Sequence, residues 1–141
     1  MSGLPEDFPA ALLAAMPDAV VYADASGTIL YWNDGAARMF GHAAAQALGA
    51  PLDLIIPEGL RARHGAGFAR TMATGQTRYG AGDVLAVPAL RRDGSRISVE
   101  FTIVPFRDPA GRMAGIAAVM RDVTARFEEL RALRRQVAAR G

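Results

Sequence analysis

Between residues 91 and 124 apolar and polar side chains alternate, and two tight-turn sequences punctuate the pattern. Ile97, Val99, Phe101 and Ile103 alternate with Arg96, Ser98, Glu100 and Thr102, a period of two that buries one face of a strand. Asp93-Gly94 precedes this run, and a hairpin turn suits Gly because it tolerates positive φ. Asp108-Pro109-Ala110-Gly111 follows it and leads into a second apolar strand, residues 113–120. At Asp122-Val123-Thr124 the pattern switches to a segment rich in Arg and Glu that reads as a helix. The chain must therefore build antiparallel sheet that feeds directly into a C-terminal helix.

The first half supplies the remaining elements. Residues 8–16 read as a short amphipathic helix with Phe8, Leu12 and Met16 on one side, stopped by Pro17-Asp18. Residues 19–23 and 28–32 form a hairpin around Asp24-Ala25-Ser26-Gly27. Asn33-Asp34 caps a brief helix carrying Ala37, Met39 and Phe40, which Gly41 ends. A helical piece at 43–48 and a loop with Leu54, Ile55 and Ile56 come next. The longest internal helix is expected over 57–74, with Pro57 in its first turn and Gly75 past its end. Its Leu60, His64, Phe68 and Met72 share one face. Tyr79-Gly80-Ala81-Gly82 reads as a loop before a strand at 84–90. Strands, then helices, then strands make an α+β arrangement, an antiparallel sheet with helices gathered on one face. The gap between the two layers is where a small molecule sits.

The stretch RRDGSRISVEFTIVPFRDPAGRMAGIAAVMRDVT resembles the C-terminal half of a PAS domain, including the terminal Asp-Val-Thr. VVYADASGTILYWNDGAARMFG resembles the N-terminal half of the same family, so the likeness spans residues 18–124. It implies a PAS fold with a five-stranded antiparallel sheet. A flanking helix in 1–17 and a signalling helix in 125–141 complete it. It implies a sensory module of bacterial signal transduction, not an enzyme, that relays a change to its C-terminal helix.

Composition narrows the functions. With no Cys, disulfides, thiolate catalysis and the Cys-based flavin photochemistry of the LOV class of PAS domains are all excluded. Pro17 and Asp18 interrupt the longest apolar run, and Glu6 and Asp7 stand where a secretory signal is basic. A cytoplasmic protein without membrane spans is expected. The net charge of +2 owes its basic excess to six Arg beyond residue 120 against Asp122, Glu128 and Glu129, since the rest of the chain has ten Arg against eleven acids. Acids interleaved on that helix describe a solvated face, not a nucleic-acid stripe. Gly80-Ala81-Gly82 lacks the third Gly of a dinucleotide fingerprint, and His42 and His64 are too far apart to form a metal pair.

The site candidates follow from the resemblance. His64 occupies the position of the axial ligand in haem-binding PAS oxygen sensors, and Arg70 that of an Arg which pairs with a haem propionate. Phe101 and Ile103 match strand positions lining the haem face. Two positions depart from that pattern: Leu85 stands where those sensors carry an Arg over the bound gas, and Asp83 where an alternative Met ligand would be. Phe68 and Met120 join the expected pocket lining, and Trp32 beside Asn33 offers a stacking surface to a flavin or other planar ligand. The resemblance leaves the small ligand unnamed, with haem one alternative and flavin a weaker one. Asp122 and Thr124 are the expected joint between the last strand and the output helix. Asp122 pairs with an Arg or caps that helix; Thr124 caps it. Phe127 and Leu130 begin a coiled-coil seam that continues at Val137 but is broken by Arg134. A homodimer through the flanking helices is expected, either with the ligand or as a ligand-free dimerisation module. The output domain or partner protein lies outside this chain.

Overall fold

The computed structural model describes residues 3–76 and 85–140, without the side chain of Leu85. Its elements in chain order are α1 (Phe8–Ala15), β1 (Ala19–Asp24), β2 (Ile29–Trp32), α2 (Asp34–Phe40) and α3 (Ala44–Ala47), then α4 (Arg61–Thr74), β3 (Leu85–Leu90), β4 (Arg96–Arg107), β5 (Met113–Asp122) and α5 (Thr124–Arg140). The five strands form one sheet in the order β2-β1-β5-β4-β3, and every pairing is antiparallel. The loop expected at Tyr79-Gly80-Ala81-Gly82, together with Asp83, lies outside the described residues.

The period-two pattern sorts the sheet into two faces. Ala19 and Val21 of β1 lie beside Met120 and Ala118 of β5, which face Phe101 and Ile103 of β4. On this inner face Ala19, Val21, Ile29, Trp32, Ile97, Val99 and Met120 are buried together with Phe40 of α2, Ala47 of α3 and Ile55. The other face carries Tyr22 and Phe106, whose rings meet edge to face at 5.7 Å. The expected α+β fold is present.

Asn33 organises the corner where β2 meets α2. It is the one buried polar residue among those described, at 4% exposure, and its amide is fully used. Oδ1 accepts from the N–H of Ala36 (2.9 Å), capping α2, and from the N–H of Val20 (2.8 Å). Nδ2 donates to the carbonyls of Leu13 (2.8 Å) and Asp18 (3.0 Å). One side chain thus ties α1, β1 and α2 together. Gly35 makes the corner possible, since a Cβ there would overlap the carbonyl of Asp18 and stand 2.6 Å from that of Pro17.

Two helices differ from expectation. The long internal helix starts at Arg61, not Pro57. Pro57 is extended (φ −54°, ψ 140°), and a 3-10 turn, Glu58–Leu60, intervenes. A 3-10 turn also occupies Leu52–Ile55, where a loop was expected. The helix α1 is not amphipathic against the core. None of its residues is buried, because FPAALLAA is apolar on every side and offers no distinct inward stripe; Met16 falls just past its end.

Candidate functional site

The inner face of the sheet is closed at one end and half open at the other. Ile97 and Val99 of β4 are buried, whereas Phe101 and Ile103 on the same face of the same strand remain half-buried. Ile116 and Ala118 of β5, beside Ala23 and Val21, are half-buried as well. Trp32, Phe40 and Ile55 belong to the same buried cluster as Ile97 and Val99, and Phe101 and Ala118 pack against it. Near β5 stands α4, a 14-residue helix with no buried residue. Phe68 of α4 reaches the β1–β2 turn, its Cε1 lying 3.8 Å from where a Cβ on Gly27 would stand. The Arg107 guanidinium at the end of β4 lies against Gly75 at the C-terminus of α4, where a cation complements the helix dipole. The helix is thus held near its middle and at its C-terminus, while Phe101 and Ile103 of β4 and Ile116 and Ala118 of β5 are left half-buried.

His64 is the histidine that α4 carries on the same side as Phe68. It is half-buried and stacks on Phe68 one turn later, ring centroids 6.3 Å apart and planes 25° from parallel. Burial holds its imidazole below the ordinary histidine range, and the Asp53 carboxylate opposes that shift with a smaller effect. The ring is therefore neutral at pH 7, with a nitrogen lone pair available to a metal or a hydrogen-bond donor. Arg70 is an exposed helix residue with no ion-pair partner among the described residues.

Trp32 and Met120 fall elsewhere. Trp32 is buried in the closed end, 5.6 Å from the Phe40 ring, and its indole N–H donates to the carbonyl of His42 at 2.9 Å. With its one donor used and the residue 5% exposed, it packs the core. Met120 is 6% exposed and pairs with Phe101 across the strands.

The joint to α5 is bonded to the strand that carries Phe101 and Ile103. Val123 is buried and donates its N–H to the carbonyl of Ser98 at 2.8 Å. Thr124 Oγ1 accepts from the N–H of Ser98 at 2.9 Å. Asp122 Oδ1 accepts from both the N–H (2.9 Å) and the hydroxyl (2.6 Å) of Thr124. Asp122 thus orients Thr124 and pairs with no Arg among the described residues. Thr124 does not cap α5 through its side chain; its hydroxyl pins the helix to β4. Glu100, two residues along, faces Arg126 of α5 at 3.9 Å, and Arg121 beside it bridges to Asp18 at 3.1 Å. Phe127 and Leu130 stay exposed on α5, with Arg131 over the Phe127 ring at 5.8 Å.

Three contributors were not visible as site residues in the sequence. Ser98 occupies an ordinary polar position in the alternation, and nothing in the pattern marks it as an anchor. Asp53 and Arg107 act across long sequence distances. Asn33 was legible as a helix cap, and only the structure shows its hold on α1.

Comparison with known proteins agrees with this architecture. A family model described as the PAS fold matches residues 13–128. An uncharacterised protein of Azorhizobium caulinodans is 37% identical over 126 residues, covering 89% of this chain and 17% of that protein. The sensor protein FixL of Bradyrhizobium diazoefficiens is 29% identical over 126 residues, covering 84% of this chain and 24% of that protein. The chain therefore spans about a fifth of the length of these relatives. Among solved structures, a PAS domain from Colwellia psychrerythraea superposes with a TM-score of 0.71 at 23% identity, covering 83% of this chain and 95% of that one. The PAS domain of BvgS from Bordetella pertussis superposes with a TM-score of 0.65 at 21% identity, over 94% of this chain and 96% of that one.

Proposed function

This chain belongs to the PAS family, and from that premise we propose that it senses a small, flat, largely apolar ligand in the cleft between α4 and β4–β5 and relays occupancy through α5. The observation that carries this reading is the change along β4 from buried Ile97 and Val99 to half-open Phe101 and Ile103. A closed core would bury all four. The relay follows from the bonding of one strand. β4 presents Phe101 and Ile103 to the cleft and holds α5 through Ser98 and Glu100. A ligand that favours one placement of β4 therefore favours one placement of α5, and only differential affinity for the two placements produces a signal. The reading contains no catalytic step. Among the described residues no helix is long and apolar enough to cross a membrane; the proposed setting is the cytoplasm, with an output partner beyond α5.

Haem is the ligand that a specific observation favours. The half-buried imidazole of His64 would hold it, with Phe68, Phe101 and Ile103 as apolar walls. When bound, haem would supply a redox-active, gas-binding iron. Leu85, at the position where haem oxygen sensors carry an Arg, has no hydrogen-bond donor in its side chain. For a flavin the case is weaker, because Trp32 is enclosed.

The visible spectrum of protein purified from haem-replete cells, before and after added haemin, tests the haem reading. A Soret band abolished by His64→Ala supports it. A colourless protein that does not bind added haemin rules haem out. The wider reading then rests on a planar apolar probe, anilinonaphthalene sulfonate. Its binding should be 1:1 and blocked by Ile103→Trp; failure to bind removes the cleft as a ligand site.

A further inference from the structure

Between the end of α2 and the turn from β3 to β4 the surface holds a depression of about 330 Å³, lined by Phe40, Gly41, Arg91, Arg92 and Asp93. That volume lies within the range of small-molecule sites. Main-chain bonds fix its walls. Arg92 donates its N–H to the carbonyl of Phe40 at 2.8 Å, and Arg91 donates to the carbonyl of Ser95 at 2.9 Å. Gly94 donates in turn to the carbonyl of Arg91 at 3.0 Å. Gly41 ends α2 at φ 82°, and a Cβ there would stand 3.3 Å from the Cβ of Arg92. The glycine thus turns the chain and lets the two elements meet closely. Two consecutive arginines are set beside one depression by bonds that leave their side chains free.

The guanidiniums are uncommitted. Arg91 is half-buried and Arg92 exposed, and neither side chain makes a hydrogen bond or ion pair among the described residues. Asp93, on the same turn, is already engaged. Its Oδ1 accepts from the N–H (2.9 Å) and the hydroxyl (2.6 Å) of Ser95. Those bonds, more than the Arg91 charge, hold its carboxyl below the usual range. His42 adds another nitrogen group nearby. Burial, and after it the Arg92 charge, keep its imidazole below the ordinary histidine range. A helix C-terminus repels anions, but here the carbonyls of Ala37 and Phe40 are taken by the N–H groups of Gly41 and Arg92.

We propose that this depression binds a phosphate group, free or carried on a small phosphomonoester, through the guanidiniums of Arg91 and Arg92. The planar fork of each guanidinium matches a tetrahedral oxyanion with paired N–H donors. A phosphomonoester carries about two negative charges at neutral pH, which balances two cations where a single carboxylate would balance one. None of these residues faces the proposed cleft, so the site stands or falls separately from the sensing role.

The test is an NMR titration of the full chain with inorganic phosphate, glycerol phosphate and acetate, in about 0.15 M chloride to screen unspecific attraction. Phosphate should shift the Nε–Hε signals of Arg91 and Arg92 and the amides of Gly41 and Gly94 together and saturably. Arg91→Gln with Arg92→Gln should weaken binding about tenfold. Arg112→Gln, on the exposed turn at the other end of β4, should leave it unchanged. Tighter binding of glycerol phosphate than of inorganic phosphate identifies a phosphomonoester as the occupant, and the reverse identifies free phosphate. Trp32 fluorescence verifies that each variant is folded. Shifts that fail to saturate, that appear equally at Arg112, or that survive the double replacement overturn the proposal. So does acetate binding as tightly as phosphate.

Discussion

Replacing Asn33 by Ala removes four hydrogen bonds at the corner that joins α1, β1 and α2. Loss of the α2 cap alone costs about 0.5–2 kcal/mol. The N–H of Val20 is left in a buried setting without its acceptor, at a further cost of about 1–3 kcal/mol. The carbonyls of Leu13 and Asp18 cost less, because water can reach part-buried oxygens. The contributions share one side chain and do not add fully, so the expected loss is about 2–4 kcal/mol. At about 3 °C per kcal/mol for a chain of this size, the melting temperature should fall by about 6–12 °C. Trp32 is the only Trp, is buried next to Asn33, and reports urea unfolding by fluorescence. Asn33→Asp makes a sharper test. Its carboxylate keeps both accepted bonds but faces two carbonyls that need a donor, so its folded pKa is raised. A raised pKa gives stability that is present at low pH and lost as pH rises. The deficit of Asn33→Asp against the unmodified chain should therefore shrink between pH 7 and pH 4. A loss below about 0.5 kcal/mol for Asn33→Ala, or a pH-independent deficit for Asn33→Asp, would refute the reasoning.

Three further outcomes follow from the same structure. Thr124→Val leaves the Ser98 N–H without its side-chain acceptor and should cost about 1–2 kcal/mol, with faster hydrogen exchange at Ser98 and along α5; unchanged exchange would contradict the pin. Burial depresses the pKa of both His64 and His42, so the unfolded chain takes up protons first as pH falls below about 6.5. Stability is then lost as pH drops from 7 toward 5, and His64→Phe should flatten that slope in urea midpoints measured at pH 7.5 and 5.5; an unchanged slope would show that His64 plays no part. Gly35→Ala forces a Cβ against the Asp18 carbonyl and should destabilise by about 1–3 kcal/mol, read by thermal melting, whereas Gly59→Ala meets open space and should not.

The strands were legible because the alternation from Arg96 to Ile103 and the turns at Asp93-Gly94 and Asp108–Gly111 state a hairpin locally. The start of α4 was not, because Pro57 suits both the first turn of an α-helix and the extended residue that precedes a 3-10 turn. The two ends of β4 show the larger limit. Val99 and Phe101 look alike in the pattern, yet one is fully buried and the other half-buried. Alternation tells which side of a sheet a residue faces, not what covers it. Trp32 illustrates the converse, since an aromatic beside an amide reads as a ligand platform until its N–H is found on the His42 carbonyl. The joint is a third case. Asp122 and Thr124 were readable through family resemblance, while Ser98, to which Val123 and Thr124 are pinned, shows nothing special until β4 and β5 are paired.

The central claim is that the cleft takes a ligand and that α5 registers its presence. Hydrogen exchange over residues 98–103 and 124–140, with and without a saturating cleft ligand, tests it most directly. Haemin is the ligand where a Soret band forms, and anilinonaphthalene sulfonate otherwise. The account predicts altered protection in both segments, lost from both when Ile103→Trp fills the cleft. Altered protection confined to the cleft, with α5 exchanging as before, would contradict it.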